Sequence, residues 1–196
     1  MFATASKASP QTEHLPSWGA LLERFYARLN LPLPSMARLL DQDVPEPYRR
    51  LLVHSHDMTP TLEGFYRQPM CIAVLSRERE EGAYLREVIL KPAGEARPVE
   101  YGVIRICLDN LPATARQRVL EEERPLGNIL QTEAVPHLSW PQAFFRVDAD
   151  SHMTRVLRLR QPGVLYGRRN ILLDGSHRLL ADVLEVLAPV DNTQPL

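Results

Sequence analysis

The fold is decided by residues 70–108, which read MCIAVLSREREEGAYLREVILKPAGEARPVEYGVIRICL. This stretch holds three strand-like runs, Met70–Ser76, Tyr84–Lys91 and Pro98–Leu108. The first is continuously apolar, the second alternates between polar and apolar residues, and the third is rich in β-branched residues. The connections REREEGA and PAGEAR each contain a glycine and have the length of hairpin loops. Together these features predict an antiparallel meander.

The flanking sequence adds helices and further strands. Helical spacing of apolar residues predicts a helix over Leu15–Asn30, and a second, short helix is predicted at Ser35–Gln42. The dipeptide Asp174–Gly175 is a strong hairpin signal between the runs Val164–Leu173 and Arg178–Leu187. We therefore predict the α+β class, with a single antiparallel sheet of about six strands and helices packed on one side.

Composition limits the class of protein. The chain has 196 residues, a net charge of −1 and 44% hydrophobic residues, which suits one globular domain and excludes a disordered chain. We predict a flexible leader at 1–14 and a single domain at 15–196. The balanced charge gives no overall attraction to nucleic acid, and no apolar run approaches the ~18 residues of a membrane span. Two isolated cysteines, expected to be buried thiols, fit a cytoplasmic location.

Charged residues interrupt otherwise apolar faces in two of the predicted strands. In the last strand, Glu185 is the only charge in the row of alternate residues from 179 to 187. An unpaired carboxylate on a core face needs a partner or a proton, although a strand twisted outward or a helix would leave Glu185 in water. In the strand at 84–91, Arg86 and Glu87 point to opposite faces, so at least one of them is expected to face a pocket.

Motifs for metal or nucleotide chemistry are weak. The pair His54 and His56 has the spacing that could begin a metal site on a strand, but further ligands are not evident nearby in the sequence. Gly163 and Gly167 are not followed by the residues of a phosphate loop, and no nucleophile elbow occurs. We therefore predict neither a metal nor a cofactor.

Five short motifs occur in an order that resembles the bacterial chorismate lyases and their wider family. They are Asp57–Met58–Thr59 followed by Glu63, the run Leu85–Leu90, Pro125–Leu126–Gly127, Tyr166–Gly167–Arg168–Arg169, and Glu185 four residues before Pro189. The resemblance covers roughly residues 50–189 and implies a six-stranded antiparallel sheet with helices on one side. The segment Gln131–Gly163 departs from the compact members of the family. The same fold also serves as the ligand-binding domain of some transcription regulators.

The resemblance implies a cofactor-free lyase that converts chorismate to 4-hydroxybenzoate and pyruvate. Arg86 would hold the ring carboxylate, and the backbone N–H groups of Met58 and Leu126 would complete that carboxylate site. Glu185 would lie at the 4-oxygen and handle a proton there. Arg86 and Glu185 are thus the expected catalytic residues, and the expected partner is a small aromatic acid.

Two alternatives remain open at this stage. One is a non-catalytic binding module for a small aromatic or sugar-like carboxylic acid. The other is a related lyase with an altered substrate in secondary metabolism. Only about 50 residues precede the motif region, and they contain no basic recognition helix, so no nucleic-acid partner is expected.

Overall fold

A single antiparallel sheet organises the chain in the computed structural model, which describes residues 19–190. Its seven strands lie in the order β1-β5-β6-β7-β4-β3-β2. They are β1 Met36–Leu39, β2 Met70–Glu80, β3 Ala83–Pro92, β4 Glu100–Cys107, β5 His137–Asp148, β6 Val164–Asp174 and β7 Leu179–Leu187. The predicted α+β class with one antiparallel sheet is confirmed, with seven strands in place of about six.

Six α-helices accompany the sheet. They are α1 Ala20–Arg28, α2 Tyr48–Leu52, α3 Met58–Tyr66, α4 Ala113–Glu121, α5 Leu126–Thr132 and α6 Ser151–Val156. Short 3-10 turns follow β1 and β4, at Asp41–Asp43 and Leu108–Asn110. The last helix, α6, was not predicted; its N-cap is Asp150, whose side chain accepts a hydrogen bond from the Met153 N–H at 2.8 Å.

Two meanders meet in the middle of the sheet. The hairpins β2–β3 and β3–β4 form the predicted meander, and β5, β6 and β7 form a second one. The halves are joined by antiparallel pairing of β4 with β7, in which Gly102 lies opposite Glu185. This pairing brings residues about 80 positions apart in the chain to adjacent strands, and it creates the floor of the site described below.

Apolar clusters cover both faces of the sheet. On the site face, α2 and α3 contribute Leu52 and Leu62 to one cluster, while α4 and α5 contribute Val119 and Ile129 to another. On the opposite face, α1 and α6 pack with alternate residues of β3, β4 and β7, such as Leu85. Because successive residues of a strand point to opposite sides, alternate side chains pack on the two faces of the sheet.

Some local predictions fail. Ser35–Gln42, predicted as a helix, contains β1 instead, because residues 36–39 pair with the edge of β5. Both cysteines are free, as predicted, but the predicted burial is wrong, because Cys71 is exposed and Cys107 is half-buried. The predicted leader at 1–14 lies outside the described residues. Within residues 19–190 the structure has no helix long and apolar enough to cross a membrane.

Candidate ligand-binding site

A cavity lies between the site face of the sheet and the first turns of α3 and α5. The cavity has a volume of about 60 Å³, whereas a cavity that holds a single water molecule has about 10–15 Å³. The cavity therefore suits a small molecule. Its apolar walls come from the edge strand β2 and from β3, β4, β6 and β7, through Ile72, Val88, Leu90, Ile104, Leu172 and Val183. All four residues predicted for the site, Met58, Arg86, Leu126 and Glu185, line it.

Arg86 is the one side chain in this lining that carries a buried charge without a partner in the described part of the chain. It projects from β3 and is only 1% exposed. Its Nε and Nη1 atoms have no hydrogen-bond partner among residues 19–190. Burial lowers the pKa of Arg86 to about 10, and the nearby Tyr84 and Glu122 only partly offset this. The guanidinium therefore lacks the counter-charge that a buried cation requires.

Glu185 lies further along the floor of the cavity. Two strand spacings of ~4.8 Å and two residues of ~3.4 Å separate its Cα from that of Arg86, which gives roughly 12 Å. Unlike Arg86, Glu185 has a partner: the Arg168 Nε donates to its Oε2 at 2.7 Å. Glu185 is therefore buried and paired with a basic side chain.

Arg168 connects this carboxylate to the segment before α3. Its side chain is fully buried. Nη1 donates to the carbonyl oxygen of His54 at 3.1 Å, and Nη2 donates to that of His56 at 3.1 Å. The neighbouring Arg169 points to the other face, where it forms an ion pair with Asp182 at 2.8 Å. The adjacent arginines thus serve two separate buried carboxylates, a difference that their sequence did not reveal.

Glu100 is a cavity residue that the sequence analysis missed. It projects from the start of β4, is 4% exposed, and has an Oε2 atom without a hydrogen-bond partner in residues 19–190. Burial raises the pKa of Glu100 well above its usual value, and the negative charge of Glu185 raises it further. Burial and this charge therefore favour the protonated form of Glu100. Its alternation with Gly102 and Ile104 along β4 was the signal that could have identified it.

Helix starts form the wall opposite the floor. Met58 is the first residue of α3 and Leu126 is the first residue of α5. The N–H groups of a first helical turn have no acceptor within their own helix, so both can donate to a ligand. Gly127 allows the two helices to approach closely, because a Cβ there would lie 3.1 Å from the Thr59 side chain.

Asp57 borders both the cavity and a histidine. It is the N-cap residue of α3, and its Oδ2 atom is 2.8 Å from the Nε2 of His137. The second carboxylate oxygen, Oδ1, is buried and has no hydrogen-bond partner in the described chain. The hydrogen bond with Asp57 raises the pKa of His137. The pair ties the start of β5 to the start of α3 beside the cavity.

The two histidines considered for a metal are engaged otherwise. The Nε2 of His54 is 2.8 Å from the Leu51 carbonyl oxygen, and its Nδ1 accepts the His56 backbone N–H at 3.1 Å. Burial and the positive charge of Arg168 lower the pKa of His54. Across residues 19–190, no group of three or more potential ligand residues is placed to hold a metal ion.

Glu87 behaves differently from its neighbour Arg86. It lies on the opposite face, where it accepts hydrogen bonds from the Tyr101 hydroxyl at 2.8 Å and the Ser76 hydroxyl at 3.0 Å. The Nε2 of His152 lies 2.6 Å from the same carboxylate. These partners hold the pKa of Glu87 below its usual value, although burial opposes them. Of the two adjacent charges Arg86 and Glu87, only Arg86 lines the cavity and is left for a ligand.

Comparisons with known proteins define the fold and correct the predicted activity. No family model matches the chain, and no curated protein matches it. The effector domain of PhnF from Mycobacterium smegmatis is similar in structure, with a TM-score of 0.51 and 8% identity over 69% of this chain and 90% of that one. The possible transcriptional regulator YydK from Bacillus subtilis has a TM-score of 0.50 and 10% identity, covering 87% of this chain and 92% of that one.

These similarities show that the chain has the fold of regulator effector domains. They contradict the expectation of a chorismate lyase, because the similar structures are those of transcription regulators. The geometry agrees with this correction. Glu185, the residue expected to handle a proton, is paired with Arg168 at 2.7 Å. The expected roles of Arg86 and Glu185 at the site stay predictions.

Proposed function

We propose that this chain is a non-catalytic binding module for a small carboxylic acid, of the kind that serves as the effector domain of a regulator. The observation that carries the proposal is the buried guanidinium of Arg86, whose Nε and Nη1 atoms have no partner in residues 19–190 and which lines the cavity. A carboxylate is the group that this side chain lacks, and hydrogen bonds between two charged groups are the strong ones.

The other cavity residues take supporting roles in this proposal. The backbone N–H groups of Met58 and Leu126 approach the same carboxylate from the helix side. Apolar walls hold the body of the ligand, and Glu185 with its partner Arg168 forms the far end. Such a mostly apolar cavity with a few convergent polar groups is the usual form of a small-molecule site.

A regulatory role is supported by the proteins that share this fold. The similar structures are an effector domain, a possible transcriptional regulator and the PhnF protein. An effector domain changes its state when a ligand binds one conformation better than another. In this chain the ligand would supply the missing counter-charge of Arg86, so binding would stabilise the conformation in which α3 and α5 close over the sheet.

Thermal unfolding tests the proposal with paired compounds. The protein is heated with a panel of small acids, including benzoate, 4-hydroxybenzoate and gluconate, and with the neutral amide of each. We expect at least one acid to raise the melting temperature and no amide to do so. Arg86→Met should abolish the effect, whereas Arg79→Met, which removes an exposed arginine of β2, should leave it intact.

Two outcomes contradict the proposal. Stabilisation by an amide as large as that by its acid would show that Arg86 does not select an anion. Release of pyruvate from chorismate by the same preparation would show that the chain is an enzyme after all.

A further inference from the structure

Unpartnered polar atoms are concentrated in one place. Within residues 19–190, nine buried side-chain nitrogen or oxygen atoms have no hydrogen-bond partner. Five of the nine belong to residues that line the cavity: Nε and Nη1 of Arg86, Oδ1 of Asp57, Oε2 of Glu100 and Oδ1 of Asn170. Buried polar groups are nearly always satisfied in folded proteins, so such a cluster indicates that a ligand supplies the missing partners.

Two of the three oxygens, those of Asp57 and Asn170, belong to side chains that are held in place by a bond on their other side. Asp57 is fixed through Oδ2, which is 2.8 Å from His137. Asn170, which lines the cavity, donates from Nδ2 to the hydroxyl of Ser139 at 2.9 Å and leaves its carbonyl oxygen without a partner. Glu100 is 4% exposed and Asn170 is 2% exposed. These oxygens therefore require hydrogen-bond partners from outside the described chain.

The charges of the cavity decide what kind of donor fits. The carboxylate of Asp57 already faces His137, and that of Glu185 is paired with Arg168 at 2.7 Å. Burial and the charge of Glu185 raise the pKa of Glu100 and so favour its protonated form. A hydroxyl group can donate to the Asp57 and Asn170 oxygens, and it can donate to or accept from Glu100 in either protonation state.

We infer that the cavity selects a small polyhydroxylated carboxylic acid, with the carboxylate at Arg86 and hydroxyl groups at Asp57, Asn170 and Glu100. This inference rests on the proposed function and narrows it, because it favours a sugar-like acid over a plain aromatic acid. A plain acid would cover three acceptors without supplying a donor. Sites built to bind a hydroxyl group discriminate strongly against analogues that lack it.

Matched pairs of acids test the inference by isothermal titration calorimetry at neutral pH. Shikimate is compared with cyclohexenecarboxylate, the same ring acid without hydroxyl groups, and gluconate is compared with hexanoate. We expect the hydroxylated member of at least one pair to bind at least about a hundredfold more tightly. Methyl shikimate, which keeps the hydroxyl groups but lacks the anion, should not bind.

Variants connect the preference to the named oxygens. Asn170→Leu should reduce the affinity ratio within the pair by about tenfold or more. Asn128→Leu is the matched control, since Asn128 also has an unpartnered amide oxygen but does not line the cavity. It should leave the ratio unchanged. The ratio is insensitive to a uniform loss of folded protein, so a destabilised variant still gives a result.

The outcomes separate this inference from the proposed function. If the acids without hydroxyl groups bind as tightly as their partners, the inference is overturned while the anion site stands. If no acid binds, or if methyl shikimate binds as well as shikimate, the anion site itself is overturned, and the inference with it.

Discussion

Replacing Arg86 with methionine should stabilise the protein in the absence of ligand. Methionine has a similar length and an apolar, flexible side chain that can fill the space of the arginine stem. Burial lowers the pKa of Arg86 to about 10, which reflects how strongly the folded protein disfavours the charged guanidinium. At ~1.4 kcal/mol for each pKa unit, this corresponds to about 3 kcal/mol that the variant no longer loses.

The pH dependence has a definite sign. Because the folded-state pKa of Arg86 is lower than that of the unfolded chain, the penalty is fully present below pH 10 and fades as the pH rises toward the unfolded value. The variant should therefore exceed the parent protein in stability at pH 7, and this advantage should shrink in alkaline solution.

Urea denaturation followed by circular dichroism measures the effect. We expect the free energy of unfolding to rise by about 3 kcal/mol, or the melting temperature by roughly 6–12 °C for a chain of this size. Arg79→Met, at an exposed position of β2, should change the stability by no more than about 0.5 kcal/mol. A ligand-free Arg86→Met protein that is no more stable than the parent would refute the argument that this guanidinium is unsatisfied.

Three further changes test other parts of the site. Arg168→Met should destabilise the protein by about 3–5 kcal/mol in urea denaturation, because it leaves Glu185 buried without its partner; a neutral effect would show that this ion pair is dispensable. Gly102→Ala places a methyl group 3.3 Å from the nearest valine side chain on the cavity floor, so calorimetry should show affinity for the preferred acid reduced about tenfold or more; unchanged affinity would place the ligand elsewhere. His137→Ala should cost more stability at pH 6 than at pH 9: the bond to Asp57 raises the pKa of His137, and that contribution is complete below the unfolded pKa and lost above the folded one. Equal losses at both pH values would show that the pair contributes no charge-dependent stability.

The alternation of side chains within single strands was enough to predict two of the residues that line the site, Arg86 and Glu185. Alternation placed Arg86 and Glu87 on opposite faces of one strand, and the structure shows that only Arg86 faces the cavity. The same alternation marked Glu185 as an unusual charge in an apolar row. Alternation could not identify the residues that pair with Glu87 and Glu185, because the pattern within one strand does not determine which strand lies beside it.

The meander over residues 70–108 and the final hairpin follow from the sequence itself, since their apolar alternation and glycine turns are local properties. Tertiary structure alone decided the rest. Pairing of β4 with β7 brought Glu100 near Glu185, and pairing of β6 with β7 placed Arg168 opposite Glu185. Pairing with the edge of β5 made Met36–Leu39 a strand. These partners are far apart in the chain, so no local sequence pattern determines which charges meet. The surface that the strands bury together determines this, and it also determines which charge is left for a ligand.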